Sequence, residues 1–140
     1  MTTTTTTLPT SSSPTVDRFL DAVCGGAGIP PDLLAPEGTL DATVPGWRFE
    51  VAGRDQVAHQ YSAWFAAPAT FEELERFAVD GGEVVTYLLA WVEAGTPHAA
   101  HHCHVLSLDP EGRIVRDMFF CGGRWDAARL AEMAATQQAE

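Results

Sequence analysis

His98-Ala-Ala-His101-His102-Cys103-His104-Val-Leu-Ser-Leu108-Asp109-Pro110-Glu111-Gly112-Arg113-Ile-Val-Arg-Asp117-Met-Phe-Phe-Cys121 is the stretch that decides the fold. Two runs rich in β-branched and aromatic residues flank Asp-Pro-Glu-Gly. Its Pro110 suits the second position of a type I turn and its Gly112 a positive φ, so the stretch reads as a β-hairpin. Strand period puts His98, Ala100, His102 and His104 on one face and His101, Cys103 and Val105 on the other. Pairing about the Pro110–Glu111 midpoint sets Leu108 opposite Arg113 and hence His104 opposite Asp117, with β-carbons ~5 Å apart. A bulge at Gly112 would shift this pairing by one and break it.

Outward from the hairpin, Glu83 to Glu93 is a further strand, joined to Pro97 to Leu108 through Ala94-Gly95-Thr96. Phe71 to Val79 fits an exposed helix or the outer face of a strand, and Gly81-Gly82 reads as a turn. Arg54 to Phe65 is a helix with the apolar stripe Val57, Tyr61, Trp64 and Phe65. Thr39 to Val51, broken at Pro45-Gly46, suggests two strands or a strand with a long turn. Val16, Phe19, Leu20 and Val23 recur on one face of a short helix capped by Thr15 and ended by Gly25, Gly26 and Gly28; Pro31 opens a helical turn to Leu34. Asp126 to Ala135 closes the chain as a helix. Helices followed by a meander of long strands indicate an α+β fold.

The chain is 140 residues long, 46% hydrophobic, with 19 acidic and 8 basic side chains and a formal net charge of -11. That length supports one domain, here 15–135, with residues 1–14 a disordered Thr/Ser-rich tail and 136–140 a flexible C-terminus. All the basic residues are arginines, which removes Schiff-base and lysine-base chemistry. So acidic a surface argues against nucleic acid and anionic membranes as partners, and no apolar run approaches the roughly 20 residues of a membrane span. Three unpaired cysteines and no secretory leader read as a reduced, cytoplasmic protein. No cofactor is indicated.

Proton-transfer chemistry therefore falls to carboxylates, histidines and tyrosines. A His104/Asp117 pair on a buried face would fix the imidazole tautomer and stabilise its charged form, as a general acid or base requires; a structural buried pair is the plainer alternative. His102, His104 and Asp117 also have the composition of a two-histidine, one-carboxylate metal triad, although no metal is expected. Tyr87, Leu89 and Trp91 share a strand face and supply pocket wall or core.

The order of elements, with Gly95-Thr96-Pro97, the strand through His104 and Asp109-Pro110-Glu111-Gly112-Arg113-Ile114, resembles the nuclear transport factor two-like superfamily over about residues 16–125, in particular its ketosteroid isomerase-like and SnoaL-like members. The resemblance implies a cone-shaped curved mixed sheet, a cystatin-like α+β barrel, wrapped around N-terminal helices, with an apolar pocket and a homodimer through the convex sheet face. It puts His104 where ketosteroid isomerases carry the protonated Asp of their oxyanion hole, Asp117 at a pocket position of the last strand, and Tyr61 at a second pocket tyrosine. Phe19 stands at the isomerase's catalytic Tyr and Ala42 nearest its general-base Asp, with Asp41 one place earlier; both changes argue against steroid isomerisation. SnoaL-like cyclases likewise draw a pocket His and Asp from the last two strands.

The expectation is a pocket protein, an isomerase, cyclase or lyase acting on a small apolar or polyketide-like carbonyl compound. His104 and Asp117 would be the catalytic pair, with Tyr61 or Tyr87 donating to the developing enolate oxygen. Phe19, Asp41, Trp64, Tyr87, Leu89, Trp91, His102 and Phe119 would line the pocket. The alternative is a non-catalytic ligand-binding or dimeric interaction module on the same fold.

Overall fold

A computed structural model describes residues 13–139, so residues 1–12 of the tail expected over 1–14 lie outside the described residues, as does Glu140. The elements in chain order are α1 (Pro14–Gly25), a 3-10 turn (Pro31–Leu33), β1 (Leu34–Val44), β2 (Trp47–Ala52), α2 (Arg54–Trp64), β3 (Ala69–Val79), β4 (Gly82–Glu93), β5 (Thr96–Leu108), β6 (Ile114–Asp126) and α3 (Ala127–Ala139). The six strands form one sheet in the order β2-β1-β6-β5-β4-β3, antiparallel throughout except for the parallel β1–β6 pair. This is the α+β architecture that the hairpin and the order of elements predict.

Helix α1 starts earlier than expected. Ser13, not Thr15, is its cap, accepting a hydrogen bond from the Val16 amide, and Pro14 occupies the first turn, where its missing N–H costs nothing. The helix ends on Gly26 at φ 75°, and a Cβ there would stand 2.7 Å from the Pro68 nitrogen, so only glycine lets the chain turn against the α2–β3 loop. The ambiguous segment over Phe71–Val79 is a strand, because its pairing with β4 satisfies a backbone that its run of glutamates would otherwise leave exposed. β6 runs past Cys121 to Asp126, and α3 continues past Ala135.

Val16, Phe19, Leu20 and Val23 of α1 and Val57, Ala58 and Tyr61 of α2 are buried against the inner sheet face, which contributes Leu40, Ala42, Val85, Tyr87, Leu89, Leu106 and Phe119. Outward-facing positions form an apolar band in which Val84, Leu88, Val105 and Met118 are half-buried and Phe77 and Phe120 exposed.

The register of the central hairpin differs from the expected one by two residues. Leu108 pairs with Ile114 rather than Arg113, because the Asp109 carboxylate accepts from the Glu111 and Arg113 amides and Gly112 adopts φ 84°, giving the longer bulged type of turn. A second irregularity at Val115 then advances β6 by one more, so that Ser107 pairs with Arg116, Leu106 with Asp117 and His104 with Phe119. Either shift alone would turn Asp117 to the other face; the two together return it to the inner face, diagonal to His104 and within side-chain reach.

Candidate functional site

Asp117 and His104 are both fully buried, and the His104 Nδ1–H donates to Asp117 Oδ2 over 2.7 Å. The Tyr61 hydroxyl, brought in from α2, donates to the same oxygen at 2.7 Å. On the far side of the imidazole, the Tyr87 hydroxyl lies 2.8 Å from His104 Nε2 and 3.0 Å from His102 Nδ1. Both tyrosines of the chain are thus bound into one line of hydrogen bonds, Tyr61–Asp117–His104–Tyr87–His102, that crosses from α2 through β6, β5 and β4.

The direction of each bond follows from the inventory of donors. A carboxylate only accepts, so Tyr61 and His104 Nδ1 both donate to it. In the form of His104 that carries a proton on Nδ1 alone, Nε2 takes the Tyr87 O–H. The Tyr87 oxygen in turn accepts from His102 Nδ1–H, leaving a lone pair on His102 Nε2, which has no hydrogen-bond partner among the described residues. Burial first, then the negative charge of Asp117, raises the Tyr61 and Tyr87 phenols well above their ordinary range, so both remain neutral hydroxyls. Asp117 Oδ1 is sealed from solvent and has no partner among the described residues.

His102 is where this line meets open space. It is 7% exposed and borders a cavity of about 800 Å³ whose aromatic wall comprises Trp47, Phe49, Trp64, Phe65, Trp91 and Phe119. Trp64 stacks on Phe119, and Trp47 packs against Phe49, two residues along β2 on the same face. Gln60 and Cys121 add polar atoms, and at the exposed rim Arg124 pairs with Glu93 and lies over the Trp91 ring at 5.3 Å. Removal of His102 from water pushes its pKa down to about 3, burial contributing most and the neighbouring His104 and His101 adding to it. It is a neutral imidazole throughout the ordinary pH range.

This yields a stability prediction. Between about pH 6.5 and pH 3 the unfolded chain binds a proton on His102 that the folded chain does not, so stability falls as pH falls across that window. The slope from this one group reaches about 1.4 kcal/mol per pH unit. Chemical denaturation at pH 7 and pH 5 should show a smaller acid loss for His102→Gln than for the parent chain; an identical loss would remove His102 as its source.

Of the expected pocket residues, Trp64, Leu89, Trp91, His102 and Phe119 line the cavity. Phe19 lies behind it, its ring edge against Tyr61 and His104, and Tyr87 is part of the buried line. Asp41 is elsewhere: strand alternation turns Leu40 and Ala42 inward and Asp41 outward, where Arg48 grips it bidentately at 2.9 and 2.7 Å. That hydrogen bonding by Arg48 is the main reason its carboxyl is held below the ordinary range. His104, Asp117 and Tyr61 come together but are sealed below the cavity floor, so neither Tyr61 nor Tyr87 has a hydroxyl free for a developing enolate oxygen.

The metal triad is not assembled either. Among the described residues no three His, Cys, Asp or Glu side chains converge on one point, and both ring nitrogens of His104 are already hydrogen-bonded. Trp47, Phe49, Cys121 and Arg124 are among the lining residues that sequence reading missed. The alternation of Trp47 and Phe49 is the available signal, obscured by the break at Pro45-Gly46.

No protein-family sequence model matches the chain, and no curated protein matches it. Solved structures do. A protein from the de novo design of proteins with diverse pocket structures is 10% identical, with a TM-score of 0.58 over 76% of this chain and 95% of its own. SalBIII, described as an epoxide hydrolase/cyclase-like enzyme in pyran ring formation in the polyether salinomycin, is 18% identical, with a TM-score of 0.58 over 77% of this chain and 88% of its own. A Parabacteroides distasonis protein named as a candidate ketosteroid isomerase is 12% identical, with a TM-score of 0.52 over 75% and 83%. No helix among the described residues is long and apolar enough to cross a membrane. With α1 and α2 on the inner face of a six-stranded mixed sheet and an aromatic cavity between them, the chain shares the α+β fold of these solved structures.

Proposed function

We propose that the cavity is the active site of an acid/base enzyme of isomerase, cyclase or lyase type, acting on a small, largely apolar carbonyl compound with an aromatic or polyketide-like skeleton. One observation carries this reading: His102 Nε2 is an unpartnered ring nitrogen at the wall of an aromatic cavity, and its other nitrogen is tied to a buried His/Asp pair. The catalytic role thereby moves from His104, where sequence reading put it, to His102. A neutral imidazole in a cavity walled by aromatic rings is suited to removing a proton from carbon next to a carbonyl, since little water competes for its lone pair. The six aromatic rings favour flat apolar ligands, and the SalBIII and ketosteroid isomerase-named neighbours support a pocket used for small-molecule chemistry.

The test needs no knowledge of the natural substrate. Exchange of the α-protons of a bicyclic aromatic ketone with solvent deuterium, followed by NMR, should be accelerated by the protein, and His102→Gln should lower that acceleration by about 10²–10⁴-fold. A second reading, a non-catalytic ligand-binding module, is favoured by the sealing of His104, Asp117, Tyr61 and Tyr87 away from the cavity. Ketone binding without any exchange would select it. Light scattering on the same preparation reads the homodimer that belongs to this proposal, for which the outward band around Val105, Met118 and Phe120 is the apolar surface; a monomer at micromolar concentration removes it.

A further inference from the structure

Resting on the acid/base reading of the cavity, we infer that Tyr87 passes protons between His102 and His104, so that His102 acts as acid and base without ever becoming a cation. The geometry contains two complete bonding states. In the first, already described, His102 Nδ1–H donates to Tyr87, Tyr87 donates to His104 Nε2, and His102 Nε2 offers a lone pair to the cavity. When that lone pair takes a proton from substrate carbon, the C–H electron pair passes into the enolate. The Nδ1 proton of His102 moves to the Tyr87 oxygen as the Tyr87 proton moves to His104 Nε2. The two bonds to Tyr87 then reverse: His104 Nε2–H donates to Tyr87, Tyr87 donates to His102 Nδ1, and His102 Nε2–H points into the cavity as a donor.

In this second state the substrate's proton is matched by an imidazolium on His104, 2.7 Å from the Asp117 carboxylate, while His102 is again neutral. Running the line backwards delivers a proton to another carbon or to a leaving oxygen, which balances an isomerisation or an elimination. The arrangement removes a contradiction in the site. A base that must hold a full charge at His102 would do so in an apolar wall, next to His104 and with no carboxylate touching it. Through Tyr87 the charge is held one residue deeper, where its counter-charge is fixed in place.

The groups facing His104 are Asp117 from β6, Tyr87 from β4, His102 on its own strand and, through Asp117, Tyr61 from α2. Helix α1 brings the Phe19 ring. Cys24 and Cys121 are the further titratable groups that act on Tyr87. Tyr61 is a positioning residue: it holds Asp117 Oδ2 at the point where His104 Nδ1 meets it.

The decisive experiment is nitrogen NMR of the full-length protein labelled with ¹⁵N at histidine, followed through a pH titration without substrate. As His104 becomes an imidazolium, His102 should remain neutral and its proton should move from Nδ1 to Nε2. In Tyr87→Phe, which lacks the relaying hydroxyl, the His102 tautomer should no longer follow His104, and ketone exchange should fall by about 10²–10⁴-fold. An imidazolium forming on His102 first, an unchanged His102 tautomer while His104 gains its proton, or a His104 that stays neutral until the protein unfolds would each overturn the relay. The titration of the parent protein decides this even if the Tyr87 variant does not fold. Coupled tautomers without ketone exchange would leave the relay standing and remove the enzyme reading instead.

Discussion

Asp117→Ala is expected to destabilise the protein by about 3–5 kcal/mol, more than any other single change in the buried line. Two donors, Tyr61 O–H and His104 Nδ1–H, converge on Asp117 Oδ2 at 2.7 Å in a region without solvent access, and alanine leaves both unsatisfied and a void beside them. Asp117→Asn separates stability from chemistry. The amide has nearly the same volume and an oxygen for one of the two donors, so folding should survive with a smaller loss. It has no charge, however, to stabilise an imidazolium on His104, and ketone exchange should drop by about 10²–10⁴-fold. Ligand affinity should change little, because residue 117 does not line the cavity. Denaturant titration reads the first effect, and exchange and binding measurements on Asp117→Asn read the second; full exchange activity in the asparagine variant would show that the buried pair serves packing only.

Arg76→Ala should cost a comparable ~3–5 kcal/mol two strands away, where Glu83 pairs with the same Leu106 that pairs with Asp117. Glu83 is 2% exposed, and Arg76 binds it through Nε at 2.9 Å and Nη2 at 3.0 Å while reaching Asp17 of α1 through Nη1 at 2.6 Å. The Ser13 amide donates to the same carboxylate at 2.9 Å, so this cluster fastens the start of α1 to β3 and β4. Removing the arginine leaves a buried carboxylate without its counter-charge, which costs far more than an exposed ion pair is worth. Arg18→Ala is the control: its bridge to Asp32, with the two side chains 55% and 68% exposed, should be worth under about 1 kcal/mol. Replacing both partners, as Arg76→Met with Glu83→Leu, should recover much of the loss, since no charge is then left buried. A loss below about 1 kcal/mol in Arg76→Ala would mean that water reaches Glu83.

The parts of this molecule that were legible beforehand depend on local rules. The apolar spacing of α1 and α2, the punctuation at Pro45-Gly46 and Gly81-Gly82, and the Asp109–Gly112 turn placed the elements because each acts within a few residues. The one local error at α1, Thr15 for Ser13, arose because two neighbouring hydroxyl residues are equally good caps and Pro14 selects between them. The cluster of Glu83 with Arg76 left no such trace: its members belong to separate strands, and only a closed sheet makes either of them buried.

The sequence by itself determined the α+β class, the inward face of β5 with His102 and His104, and the absence of any lysine to do the chemistry. Those follow from composition and from a side-chain period of two, which hold wherever the strand is placed. The tertiary structure alone decided the register of β5 on β6, because that depends on two irregularities, at the Gly112 turn and at Val115, whose shifts reverse the face of Asp117 twice. It also decided which histidine meets the cavity. His102 and His104 share one face of one strand, and what separates them is how far α1 and α2 extend over it: Phe19 and Tyr61 cover His104, while the aromatic cavity begins at His102.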